Sequence, residues 1–296
     1  MCLEVETLLK DVYKIREVLH VSDISIVYLC ENTQENNLYI VKEYFPKSLV
    51  VRDLDNKSII CKRPSFKDKY EVLKDEFLYE ARIIEKIKHP NVVEYIDDFK
   101  ENNTAYIVTY YYQGETLDKY VAHSNEVLGC KILKNVLIPI GKALKKIHTS
   151  GIIHRDIKPN NIMITKEGFP VIIDFGSAIN YENKGDKKIF VSSGYSPIEL
   201  YSKKSRQAEF TDIYSFAAVV YYCVCRVPPL DVKQRILVDD IKHIRSCNQN
   251  ISLLFSKIIM KNLSLNYKKR FKSVTYFIIG LYCEYFTQKI SRGSEY

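Results

Sequence analysis

The apolar residues of this 296-residue chain change their period once, close to Gly114, and no glycine precedes that position. Before it, "YKIREVLH", "SIVYLCE" and "LYIVKEYF", between residues 13 and 45, read as short β runs separated by polar turns such as "NTQENN". One stretch differs. Residues 68–88 place Val72, Leu73, Phe77, Ala81, Ile84 and Ile87 at spacings of three to five, which predicts a helix. "NVVEYIDDFKENNTAYIVTYYY" then predicts two strands joined at "KENN". Past Gly114 the period is helical in "LDKYVAH", "KILKNVLIPIGKALKKIHTS", 213–225 and 251–263, around an irregular segment from 151 to 200. A β-rich part with one helix, followed by a mainly helical part, predicts an α+β, bilobal fold with a cleft between the lobes.

Composition narrows the function classes. Hydrophobic residues at 46% and charged residues at 27% describe an ordinary globular chain with ample core. The net charge of +8 comes from lysines interspersed with acids rather than clustered, which argues against nucleic acid as the partner. The apolar runs 213–225 and 274–283 fall short of the roughly 20 residues that cross a bilayer, so no membrane span is expected. Eight cysteines form no C-x-x-C pair, and the first residues are too acidic for a signal peptide; both point to reduced thiols and a cytoplasmic location.

The segment with chemistry in it is "GIIHRDIKPNNIMI", residues 151–164. Asp156 lies two residues before Lys158 and five before Asn161, and Asp174 follows in "VIIDFG". The interval from 156 to 174 is long enough for a β hairpin, "NIMITKEGFPVIID", to fold back and bring the acids together. Carboxylates and an amide around one point suit a hard divalent ion such as Mg²⁺. Asp156 would orient a hydroxyl and take its proton, and Lys158 would neutralise phosphate charge. Phosphoryl transfer is the reaction that needs this set.

"HRDIKPNN" followed by "DFG" resembles the catalytic loop and metal-binding motif of the eukaryotic-like (Hanks-type) serine/threonine protein kinases. The order of the remaining parts agrees over residues 13–275: "IVKEY" with Lys42, "FLYEARIIEKIKHPNVV" with Glu80, "GYSPIEL" with Glu199, "TDIYSFA" with Asp212, and Arg270 in "NYKKRF". "VKEYFPKSLVVR" is similar to segments of bacterial members.

The resemblance implies an ATP- and Mg²⁺-dependent enzyme acting on serine or threonine of a protein substrate. Asp156 is then the catalytic base, Asn161 and Asp174 hold Mg²⁺, Lys42 holds the α and β phosphates in register with Glu80, and Lys158 meets the γ phosphate. Thr109 resembles the gatekeeper and Tyr110–Tyr112 the hinge; Glu115 would meet the ribose, Met163 floors the adenine, and Val27 and Ile40 cover it. Ser192 stands where threonine is usual. Glu199 pairs with Arg270, Asp212 with backbone amides of the catalytic loop, and His154 packs beneath the metal motif. Arg155 would order a phosphorylated segment within 177–198, which offers Ser177, Ser192, Ser193, Tyr195 and Ser196 and is crowded by Lys184, Lys187 and Lys188. The implied domains are an N-lobe, 1–108, a hinge region, 109–115, and a C-lobe, 116–296.

Two departures stand out. The phosphate-covering loop has His20, Ser22 and Ser25 where the family has glycines, which should stiffen the turn and turn hydroxyls toward the phosphates. The alternative reading that this loop opens is a pseudokinase acting as a nucleotide- or partner-binding scaffold. The 38 residues from Lys42 to Glu80 also exceed what a compact kinase needs, so 46–70 reads as an insertion.

Overall fold

The computed structural model describes residues 1–124, 128–181 and 189–293. The chain divides into two compact units, Met1–Lys88 with Val93–Tyr112, and His89–Val92 with Gln113–Tyr296.

The first unit is a six-stranded antiparallel sheet with one long helix. Its strands are β1 (Leu8–Leu9), β2 (Tyr13–Val21), β3 (Ser25–Asn32), β4 (Leu38–Tyr44), and a second hairpin whose outer and inner strands run Tyr95–Glu101 and Thr104–Tyr110. Alternation sets the faces. Ile26, Tyr28 and Cys30 on β3, and Tyr39, Val41 and Glu43 on β4, are buried. Asn102 and Asn103, both at positive φ, make the two-residue turn of the second hairpin, a conformation asparagine tolerates.

The stretch 46–70 is built from β5 (Val50–Arg52) and β6 (Ile59–Cys61), an antiparallel hairpin, and a short turn at Pro64–Phe66 that leads into α1 (Lys67–Lys86). Leu49, Val50 and Ile59 join Tyr28, Val41, Tyr106 and Leu3 in one core. The hairpin is therefore part of the unit's hydrophobic interior. The strands Tyr95–Glu101 and Thr104–Tyr110 are β7 and β8, and β8 pairs with β4 at the centre of the sheet.

The second unit is mainly helical. It opens with β9 (Gly114–Thr116), α2 (Leu117–His123) and α3 (Cys130–Ile132), which runs through a π turn at Leu133–Leu137 into α4 (Ile138–Thr149). Gly114 pairs with Thr165 so closely that any side chain would meet the Ile164 carbonyl, a local reason for glycine at this point. Gly151 at φ 77° follows the end of α4, and its N–H donates to the His148 carbonyl.

Short strands follow: β10 (Ile152–Ile153), β11 (Ile162–Thr165), β12 (Pro170–Ile172) and β13 (Ile179–Asn180). β11 and β12 form the hairpin expected between Asn161 and Asp174. Then come α5 (Glu209–Cys225), almost wholly buried, α6 (Val232–Leu237), α7 (Leu253–Asn262) and α8 (Val274–Gly293). No helix among the described residues is long and apolar enough to cross a membrane.

One expectation fails here. Cys225, at the end of α5, is disulfide-linked to Cys247, with their Cα atoms 5.1 Å apart. Local C-x-x-C rules cannot see a pair 22 residues apart that meets only through packing of the turn Ile244–Ser246 against α5. The inference of a cytoplasmic location, which rested on reduced cysteines, loses that support.

Candidate active site

Lys42 lies on β4 and faces opposite to its buried neighbours Val41 and Glu43. Register puts it beside Val27 of β3 and Ile107 of β8, while Ile40, two residues back, is opposite Thr109. Val27, Ile40, Lys42 and Thr109 thus share one face of the sheet. Lys42 Nζ donates to both Glu80 carboxylate oxygens, at 3.0 and 2.9 Å, and Glu80 is buried on α1. The pair forms because α1 packs on this face through Phe77 and Tyr70 against Tyr44. Tyr110 and Tyr112 lie edge to face at 5.0 Å, where β8 ends.

The turn from β2 to β3 corrects one reading of the glycine-free loop. Ser22 Oγ accepts from the backbone N–H of Ser25 at 3.0 Å and of Ile24 at 3.3 Å, and lies 3.1 Å from Ser25 Oγ. The Ser22 N–H donates to the Ser25 carbonyl at 2.9 Å. The Ser22 hydroxyl therefore closes the turn itself instead of being left for the phosphates, and Ser25 is buried. None of the residues 20–25 takes a positive φ, so the turn has no call for glycine. His20 is exposed opposite Val27.

In the second unit Asp156 collects four donated hydrogen bonds. Oδ1 accepts from Ser192 Oγ at 2.8 Å; Oδ2 accepts from Lys158 Nζ at 2.8 Å and Asn161 Nδ2 at 2.9 Å; and its carbonyl also takes Asn161 Nδ2 at 2.9 Å. Lys158 Nζ lies 3.1 Å from Ser192 Oγ. Sequence neighbours and a serine 36 residues on thus fix one carboxylate. The Ile173 N–H donates to the Asn161 carbonyl, so Asn161 lies across the hairpin from Ile173, the residue before Asp174, and Asp174 Oδ1 accepts from the Gly176 N–H at 3.0 Å.

Behind this loop sits a buried anion. Asp212 of α5 accepts the backbone N–H groups of His154 at 2.9 Å and Arg155 at 2.7 Å, holding Arg155 at φ 71°. His148 Nε2 lies 2.8 Å from Asp212, and its Nδ1 lies 3.5 Å from Glu209. His154 is fully buried against Phe175 at 4.7 Å, and burial holds its imidazole below the ordinary range. Arg270 pairs with Glu199 at 2.6 Å inside the same unit.

Sequence reasoning placed Asp212, His154 and the Arg270–Glu199 pair in these roles. It passed over His148 and Glu209, whose signal was a histidine at the end of an amphipathic helix. Arg155 is buried, and Ser192 and Ser196 hydrogen-bond within the segment, the Ser196 hydroxyl accepting from the Ser192 N–H. Lys184, Lys187 and Lys188 lie outside the described residues.

Burial pushes the His148 imidazole down, but its hydrogen bond to Asp212 and the nearby Glu209 carboxylate outweigh it and hold it up, at about 9. A raised value means that charged His148 stabilises the fold fully below its ordinary 6.5 and less as pH climbs through 9. Chemical unfolding is expected to lose on the order of 2–3 kcal/mol between those limits. The His148→Gln protein should show a flatter profile over the same window, and an unchanged profile would reject the coupling.

Glu115 belongs to β9, its Oε2 2.9 Å from His123 Nδ1, and Met163 lies on β11 between β9 and β12. Val27, Ile40, Thr109, Tyr110 and Tyr112 belong to the first unit; Glu115 and Met163 belong to the second.

An antiparallel sheet with a lysine–glutamate pair to its single long helix, and a helical unit with a buttressed Asp-x-Lys-x-x-Asn loop, define the protein-kinase-like α+β class. The protein kinase domain family matches residues 13–277, and the chain belongs to that family. It is 31% identical to a probable serine/threonine-protein kinase of Clostridium perfringens, over 71% of this chain and 32% of that one. A probable serine/threonine-protein kinase of Clostridium acetobutylicum is 28% identical over 90% of this chain and 39% of its own. The serine/threonine-protein kinase PknA of Nostoc is 26% identical, over 90% and 46%. The chain thus spans less than half the length of these relatives. The solved structure of PpkA-294 in its apo form superposes with a TM-score of 0.81 at 26% identity, covering 95% of this chain and 99% of that one.

Proposed function

We propose that this protein is an ATP-dependent serine/threonine protein kinase that moves the γ phosphate of Mg-ATP to a protein hydroxyl. The observation that carries this reading is the clamped Asp156 carboxylate, with Lys158 and Ser192 at hydrogen-bond distance from it and from each other. Asp156 accepts the proton of the incoming serine or threonine hydroxyl as its oxygen attacks the γ phosphorus and the bond to the β–γ bridging oxygen breaks. Lys158 offsets charge on the transferred group, and Lys42, oriented by Glu80, holds the α and β phosphates. In the first unit the face with Val27, Ile40 and Thr109, together with Tyr110 and Tyr112, is assigned to the nucleoside; in the second unit Glu115 is assigned to the ribose and Met163 to the adenine. His20, Ser22 and Ser25 cover the phosphates as a closed turn.

The residues present fit a divalent cation. Asn161 spends its amide N–H groups on Asp156, and its amide oxygen, like the Asp174 carboxylate, is a ligand type that suits a hard cation. Among the described residues no three of His, Cys, Asp and Glu cluster as a metal cage, and Mg²⁺ in phosphoryl transfer takes one or two protein oxygens plus phosphates. Asn161 and Asp174 would hold it, where it would neutralise phosphate charge. The formed Lys42–Glu80 pair speaks for catalysis over the scaffold reading.

Thermal unfolding with ATP, with and without Mg²⁺, and phosphoamino-acid analysis of a mixed protein substrate test the proposal. ATP with Mg²⁺ at a hundredfold excess over Kd should add about 2.7 kcal/mol of stability. Phosphoserine or phosphothreonine should appear in the substrate. Stabilisation without transfer would leave the scaffold reading; neither would reject both.

A further inference from the structure

Helix α8 has two unlike faces. Val274, Phe277, Leu281 and Glu284 are buried, with Glu284 accepting the Ser252 N–H at the start of α7. Tyr276, Ile279, Cys283, Phe286 and Ile290 are exposed, the four large ones by 54–73%. Their spacing of three, four, three and four residues is the a/d seam by which one helix packs against another. Scattered exposed apolar residues mean little, whereas five in register along one helix form a continuous strip.

From this strip we infer that the protein forms a two-fold dimer in which α8 of one copy packs antiparallel against α8 of a second copy, centred on Cys283. Three observations select a second copy as the occupant. The strip is nearly symmetric about Cys283, with Tyr276 and Ile290 seven residues to either side and Ile279 and Phe286 at four and three, as a self-complementary interface needs.

The area is also of the right order: the five side chains expose roughly 500–600 Å² per copy, so that a pair of strips reaches the roughly 1,000 Å² in total that a specific interface needs. Charge sets the direction. The strip itself is uncharged, and the exposed Lys289 borders it six residues from the centre. Antiparallel packing keeps the two copies of Lys289 about 18 Å apart, beyond the screening length of about 8 Å, whereas parallel packing would set them side by side.

Because α8 is already fixed by its buried face, association would cost little ordering. The inference does not depend on the kinase reading. Sedimentation of the full chain over a concentration series, and bismaleimide cross-linking, test it. The expected result is a reversible dimer that becomes monomeric in the Ile279→Glu/Phe286→Glu protein with an unchanged melting profile. A cross-linked dimer should also form in the unsubstituted chain and disappear in Cys283→Ser. A monomer at every concentration, a dimer that survives both glutamates in a folded protein, or a cross-link that persists without Cys283 would each overturn it.

Discussion

Asp156→Ala is expected to lower kcat for phosphoryl transfer by about 10²–10⁴-fold, the usual contribution of a positioned general base. The KM for ATP should stay within a few fold, because Asp156 is assigned to the acceptor hydroxyl and not to the nucleotide. The loss should be chemical rather than structural. Lys158 and Ser192 remain in contact with each other once the carboxylate is gone, and the loop is still held from behind by Asp212. Asp156→Asn sharpens the test. Its amide oxygen can still accept from Lys158, so the fold should be perturbed less than in the alanine protein, yet an amide takes no proton. The two variants should therefore fall together in kcat and separate in thermal stability. An asparagine protein within a few fold of the unsubstituted kcat would remove Asp156 from the role of base.

What could be read from the sequence follows from how locally each feature is encoded. Asp156, Lys158 and Asn161 sit within six residues, so their mutual geometry depends on one loop. Asp174 joins them through a hairpin whose turn and strands are also contiguous. Alternation gave β2, β3 and β4 to within a residue or two, because one face of each strand is buried and the other is not. Asp212 was recognisable because an acid inside "FTDIYSFAAVVYY" must find donors.

Features closed by distant partners were not readable in the same way. The sequence points the Ser22 hydroxyl toward the phosphates, and only the path of the chain between β2 and β3 shows that it caps its own turn. The Cys225–Cys247 link, and the role of 46–70, depend on packing that no periodicity records. Glu43 is an intermediate case. It follows Val41 on the inward-facing register of β4, so the pattern announced a buried acid, but nothing nearby in sequence named its partner.

That partner supplies the second large effect. Glu43 is fully buried and accepts from Arg52 Nη1 and Nη2, both at 2.7 Å, from Tyr28 Oη at 2.8 Å and from Tyr106 Oη at 3.1 Å. Arg52 in turn donates to the carbonyls of Lys57 and Met1, and the Leu3 N–H donates to Tyr28 Oη. One carboxylate thus ties the β5–β6 hairpin and the first residues of the chain to the strand that carries Lys42.

Removing a single member of a buried ion pair costs about 3–5 kcal/mol, because the remaining charge has no countercharge. Arg52→Met should fall at the lower end, since two tyrosine hydroxyls still solvate Glu43. Adding Glu43→Gln to Arg52→Met should recover part of the loss, as the neutral amide oxygen keeps an acceptor for the tyrosines without a buried charge. Equilibrium denaturation of the two single variants and the double variant measures this coupling directly. If the double variant were as unstable as the sum of the singles, the pair would be two independent contacts and not the bolt that joins the β5–β6 hairpin to β4.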